Sequence, residues 1–331
     1  MHLVPTEGAE AFLARAATGL ARLIEGKPAA LFCILAGMAW GIQAERAAAS
    51  ERFPRYVARR ALALAAAGLA FHVLVWPTEI LLPLALMMIL SLVVRRAGMK
   101  ATLTVAVLLV AAAPLAAALF GGYVPTDWNS DGTPLADSQP GWATVRSFLF
   151  DGSYPIVPWM AFPLVGMAML DGDRPRADLA RWFRIALAVA AVAQVWVLWS
   201  NAHAESFGAV TAYVTSTWVP TSVPFVLLAG GSAVTVIVGL VRWHAAAGLP
   251  RLAMPIALLG RASLTHYLLH IGAVIVPLRL AWPAEDWPVR VGAAAFAGYL
   301  ALALPLTTLW FRRFSHGPLE GVWAAASGRA R

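Results

Sequence analysis

Nine apolar blocks run almost end to end along this chain, and they leave no polar stretch long enough to fold as a soluble domain. They lie at 29–44, 61–76, 80–94, 101–120, 155–170, 183–203, 220–241, 252–278 and 289–311. A bilayer-spanning helix needs about 20 mostly apolar residues, with every backbone polar group satisfied inside the helix. The blocks therefore predict an all-α, polytopic transmembrane helix bundle of about nine spans, the first three short enough to need tilt or flanking residues. Charged residues make up 13% of the chain, about half the roughly 25% of soluble proteins. That is too little polar surface to coat a globule in water, so lipid must take the place of water. Cys33 is the single cysteine, which rules out an intrachain disulfide.

Basic residues test the reading independently. Arg46, Arg52, Arg55, Arg59 and Arg60 follow the first block, and Arg95, Arg96 and Lys100 follow the third. Arg174, Arg176, Arg181 and Arg184 precede the sixth, Arg242 and Arg251 follow the seventh, and Arg312, Arg313, Arg329 and Arg331 close the chain. The intervening connections at 77–79, 121–154, 204–219 and 279–290 are poor in basic residues. Positive charge stays on the cytoplasmic side, so the C-terminus is expected inside and those four connections outside. The net charge of +8 is spread in short clusters between apolar blocks, which suits anionic headgroups rather than nucleic acid. The expected division is an extracytoplasmic amphipathic interfacial segment at 1–28, the bundle at 29–312 with its outer loop 121–154, and a cytoplasmic tail at 313–331. Nine spans with an inner C-terminus put the N-terminus outside, which asks for one more helix in front of this sequence.

Ionisable groups at membrane depth are expensive and mark candidate sites. The eighth block carries the densest set, Gly260-Arg261-Ala262-Ser263-Leu264-Thr265-His266-Tyr267-Leu268-Leu269-His270. His266 and His270 share a helical face, with Ser263 one turn earlier. They read either as a strip lining a substrate cavity, with a histidine as base or acyl carrier, or as inter-helix hydrogen bonds with Arg261 reaching the headgroups. His72 and Glu79 flank the outer turn at 77–79 and read either as an acid/base pair or as an ordinary interfacial turn. The long loop carries Asp127-Trp128-Asn129-Ser130-Asp131-Gly132 and ends in Asp151-Gly152-Ser153-Tyr154-Pro155-Ile156-Val157-Pro158-Trp159; its carboxylates and aromatics read either as a sugar-facing lid or as a solvated loop. No sequence pattern for a metal site or a phosphate-binding glycine loop is present.

Five groups of residues, in order, resemble the YeiB-like family of bacterial integral membrane proteins, domain of unknown function 418. They are 25–32 with Gly37 and Gly41; Arg59-Arg60; Tyr154-Pro155 through Pro158-Trp159 with Gly166-Met167; 259–265 with Tyr267; and Gly317-Pro318-Leu319-Glu320 with Trp323. The Tyr-Pro…Pro-Trp segment is also similar to heparan-α-glucosaminide N-acetyltransferases, and so to transmembrane acyltransferases. That resemblance implies transfer of an acyl group from a cytoplasmic thioester, with acyl-CoA as donor substrate and no resident cofactor, to an extracytoplasmic glycan or lipid acceptor. It implies a donor contact at Arg261, a base or carrier among His266, His270 and His2, and a plasma-membrane location. Members usually begin with a helix that this sequence lacks, and His2 would fall at that helix's outer end. A transporter lined by the same polar strip, or a membrane scaffold without a small-molecule site, are the alternative readings.

Overall fold

The computed structural model describes residues 19, 24–46, 52–75, 79–119, 145–170, 177–219, 221–281 and 289–328, and these are mainly helical, with no strand among them. The expected interfacial helix, the Asp127–Gly132 stretch, His2 and the question of a further leading helix lie outside the described residues.

In chain order, the helices are α1 (Lys27–Arg46), α2 (Phe53–Leu74), α3 (Leu81–Arg95), α4 (Met99–Leu119), α5 (Ile156–Trp159) and α6 (Ala161–Ala168). They continue with α7 (Ala177–Ala202), α8 (Thr211–Val214), α9 (Val223–Ala247), α10 (Met254–Arg261), α11 (Ser263–His270), α12 (Val276–Ala281), α13 (Val289–Phe311) and α14 (Pro318–Ser327). Among the described residues six stretches are long and apolar enough to cross a membrane: Lys27–Glu45, Phe53–Leu74, Asp178–Ala202, Val223–Ala247, Ser263–Ala281 and Val291–Phe311. Three shorter apolar helices, Leu81–Arg95, Met99–Leu115 and Ile156–Ala168, accompany them.

Several helices start and stop where local chemistry dictates. The second block begins eight residues earlier than its apolar pattern, because Pro54 falls in the first turn of α2, where its missing N–H costs nothing. The Ser222 hydroxyl caps α9 by accepting from the Phe225 amide at 3.2 Å, satisfying one of the orphan donors of a helix start. The eighth block is not one helix. It breaks at Ala262, whose φ/ψ of −107°/33° is non-helical, and it widens into a π turn at Ile271–Ile275. The fifth block likewise bends at Val157, just before Pro158, because a residue ahead of proline is pushed towards extended geometry.

The core is centred on α6, whose Phe162, Leu164 and Met167 are all at most 2% exposed. Helices α1 and α4 pack against it, α9 packs on α1, and α7 packs on α9. Glycine permits the closest of these approaches. A Cβ on Gly37 would fall on the Pro163 carbonyl, and one on Gly166 would fall on the Ile34 carbonyl. The two helices therefore meet backbone to backbone. The outer faces invert the soluble pattern: Val192, Val195 and Leu198 of α7 and Phe296, Leu302 and Leu306 of α13 are all more than 60% exposed. Apolar belts of that extent are not stable in water. They mark a membrane-embedded protein.

Candidate functional site

The segment 154–159 is shaped by its prolines. Pro155 is extended and opens α5, and the Val157–Pro158 peptide bond is cis. The turn drives Trp159 fully into the core, where its indole N–H donates to Thr221 Oγ1 at 2.8 Å. Thr221 in turn donates to the Trp218 carbonyl at 2.8 Å, and the Trp218 indole reaches Glu25 Oε1 at 3.0 Å. The Tyr154 ring stands edge-on to Trp159 with centroids 4.9 Å apart, and is tilted against Trp218 at 5.9 Å. Asp151 closes a π turn at Ser147–Asp151 just ahead of this segment.

Glu79 lies at the start of α3 and is only 5% exposed. Its carboxylate accepts from the amides of Leu81 and Leu82, so it serves as the cap of that helix. Carboxylates suit this position because they meet the positive end of the helix dipole. The next amide, Ile80, donates to the Tyr267 hydroxyl at 3.1 Å. Glu79 and Tyr267 therefore sit on consecutive residues of one turn, although they come from distant parts of the chain. Burial pushes the Glu79 carboxyl above the ordinary carboxylate range, with the Leu82 and Leu81 amides pulling it back. The Tyr154 phenol, packed against Trp159 and Trp218, is likewise pushed up by burial. The result is a buried acid and the Tyr267 hydroxyl at one helix start.

Helix α11 faces two ways from this point. Tyr267 points to α2 and α3, with its ring 6.2 Å from Phe71. His266 points to α13, where its Nδ1 pairs with the Tyr299 hydroxyl at 2.7 Å and its Nε2 with Thr307 Oγ1 at 2.8 Å. His270 bonds through Nδ1 to the His266 carbonyl at 3.0 Å, and its ring lies 5.8 Å from that of Tyr267. His72 is half-buried in the last turn of α2. Ser263 is the first residue of α11.

The break at Ala262 exposes the start of α11, and α14 closes it. Glu320 accepts from the Thr265 amide at 3.0 Å and from the Thr265 hydroxyl at 2.6 Å. The same hydroxyl accepts from the Leu319 amide at 3.0 Å. This is a helix cap supplied in trans, from 55 residues further along. Arg261 takes part in the closure: it donates to the Ser315 carbonyl at 2.9 Å and stacks on Phe311. Arg60 lies 3.6 Å over the Trp323 ring, whose indole donates to the Arg60 carbonyl.

The structure thus brings Glu79 and Tyr267 together at the start of α3, sets Tyr154 against Trp159 and Trp218, and turns His266 towards α13. Tyr267, Tyr299, Thr307 and Glu320 were missed as site residues. Tyr267 had a signal, one residue from His266 and inside the quoted motif, whereas Glu320 had none beyond its place in the tail segment. Among the described residues no three His, Cys, Asp or Glu side chains come together as metal ligands.

Residues 167–329 match the family model described as protein of unknown function DUF418. The match spans just under half of the chain and supports a place in that family. It takes in α11, its histidines, Tyr267 and the Glu320 closure, while Glu79, Tyr154 and Trp159 lie ahead of it. No curated protein and no solved structure matches the chain.

Proposed function

We propose that this chain is a DUF418 membrane protein that transfers an acyl group to an extracytoplasmic glycan or lipid hydroxyl, with acyl-CoA as the cytoplasmic donor. The observation that carries the reading is the convergence of Glu79 and Tyr267 on one helix start. A buried carboxyl beside a phenol supplies a group able to take the acceptor proton and a hydroxyl able to orient it, which is the equipment of general acid/base catalysis. His266, held by Tyr299 and Thr307, is then a second-line base or carrier rather than the first. Arg261 is engaged by the tail, so any donor contact it makes goes through movement of that tail. In this reading the three shorter helices complete nine spans, the C-terminus is cytoplasmic, and the protein sits in a bacterial plasma membrane, as the YeiB-like and acyltransferase resemblance implies.

The test is transfer of radiolabelled acetyl from acetyl-CoA to membrane glycolipid in proteoliposomes. Glu79→Gln is expected to reduce transfer by about 100-fold or more, the usual size of a general acid/base contribution. Wild-type protein that transfers no label from acetyl- or longer acyl-CoA overturns the reading. A transporter is the second reading, favoured by the broken span at Ala262 and the π turn at Ile271–Ile275, since discontinuous helices line many transport paths. Substrate flux in proteoliposomes without covalent label would select it.

A further inference from the structure

A cleft of about 420 Å³ opens where the basic ends of α1, α2 and α3 meet. Its floor is apolar, built from Phe53, Val57, Ile89, Leu92 and Val93. Ile89 and Val93, one turn apart on α3, are 40% and 56% exposed, so the cleft is open along its side to whatever surrounds the bundle. In a membrane-embedded protein that surrounding is lipid. Arg95 and Arg96 stand at its mouth. Arg95 is paired with Glu45 at 3.0 Å, which neutralises it locally and anchors α3 to α1. Arg96 is exposed, and exposed Arg52 and Arg55 stand at the start of α2. The site therefore combines an apolar groove of small-molecule size with a cationic rim.

We propose that this cleft is a binding site for an anionic phospholipid, with the phosphate at Arg96 and one acyl chain laid against Val57, Ile89 and Val93. The charge complementarity is local: basic residues beside an anionic headgroup contribute about 1 kcal/mol each. A zwitterionic lipid would present its own cation to the same rim and lose that contribution. The proposal does not depend on the acyl-transfer reading, since it concerns a different end of the bundle and needs no chemistry.

The experiment is native mass spectrometry of the delipidated full chain with added phosphatidylglycerol or phosphatidylcholine. Wild type is expected to retain phosphatidylglycerol preferentially. Arg96→Gln is expected to weaken that retention about fivefold, and Ala58→Trp, which fills the cleft from its exposed edge, to abolish it while the protein stays monodisperse. Arg251→Gln, on the basic face but outside the cleft, is expected to leave it unchanged. Equal retention of the two lipids overturns the proposal, as does an equal loss in Arg96→Gln and Arg251→Gln, which would indicate general surface attraction. Palmitoyl-CoA that displaces phosphatidylglycerol from wild type at equimolar concentration, and is itself retained by wild type but not by Ala58→Trp, would assign the cleft to a soluble thioester and overturn the phospholipid.

Discussion

At the scale of single residues, Glu79 and Glu320 do related work: each supplies a carboxylate to the amides of a helix start. Glu79 does so within its own turn and Glu320 across the chain. Their surroundings separate them. Burial raises the Glu79 carboxyl above its ordinary value, so the native state holds that proton more tightly than the unfolded chain does. The associated stability is complete below the unfolded value of about 4.3 and is lost as pH rises through the higher folded value. Thermal unfolding in detergent is expected to show an added loss of stability above pH 4.3 that disappears in Glu79→Gln; an unchanged profile would count against the burial argument. Thr265→Val removes the hydroxyl that both donates to Glu320 and accepts from Leu319. It is expected to destabilise by about 1–3 kcal/mol, the penalty for leaving buried partners unpaired. Protease accessibility of the tail beyond Phe311 would report the loss.

At the scale of elements, the α1–α6 contact is the most demanding in the molecule. Gly37 and Gly166 place each backbone against the other helix, and no rotamer adjustment can make room for a methyl group meeting a carbonyl. Gly166→Ala is expected to destabilise by about 1–3 kcal/mol or more, read as a lowered unfolding temperature. Gly98→Ala is a less informative control, because no neighbouring atom lies near its Cβ position and only its φ of +89° objects. The apolar periodicity made most of these helices legible in the sequence. It could not show the break at Ala262, because no proline or glycine occupies that position and the apolar period runs on through it. The break persists because Glu320 and Leu319 satisfy the groups it frees.

At the scale of the whole molecule, orientation is the open physical claim, and Cys33 makes it testable. This sole cysteine is buried, so single cysteines introduced at the surface would report without background. Glu205→Cys is expected to react with an impermeant maleimide added to intact cells, and Arg251→Cys only after permeabilisation. The reverse pattern would invert the topology.

Hydropathy and charge, properties of the sequence alone, determined that this protein is a helical membrane bundle, because so few charges cannot coat it in water and apolar blocks of this length satisfy their backbones in lipid as helices. They also flagged Glu79, Tyr154 and His266, since polar groups in apolar surroundings stand out one by one. Which of them meet was decided by the tertiary structure. Glu79 meets Tyr267 through the packing of α3 and α11, and His266 is turned away towards Tyr299 and Thr307. Helical spacing fixes neighbours within a helix, but only packing decides which faces of separate helices are brought together.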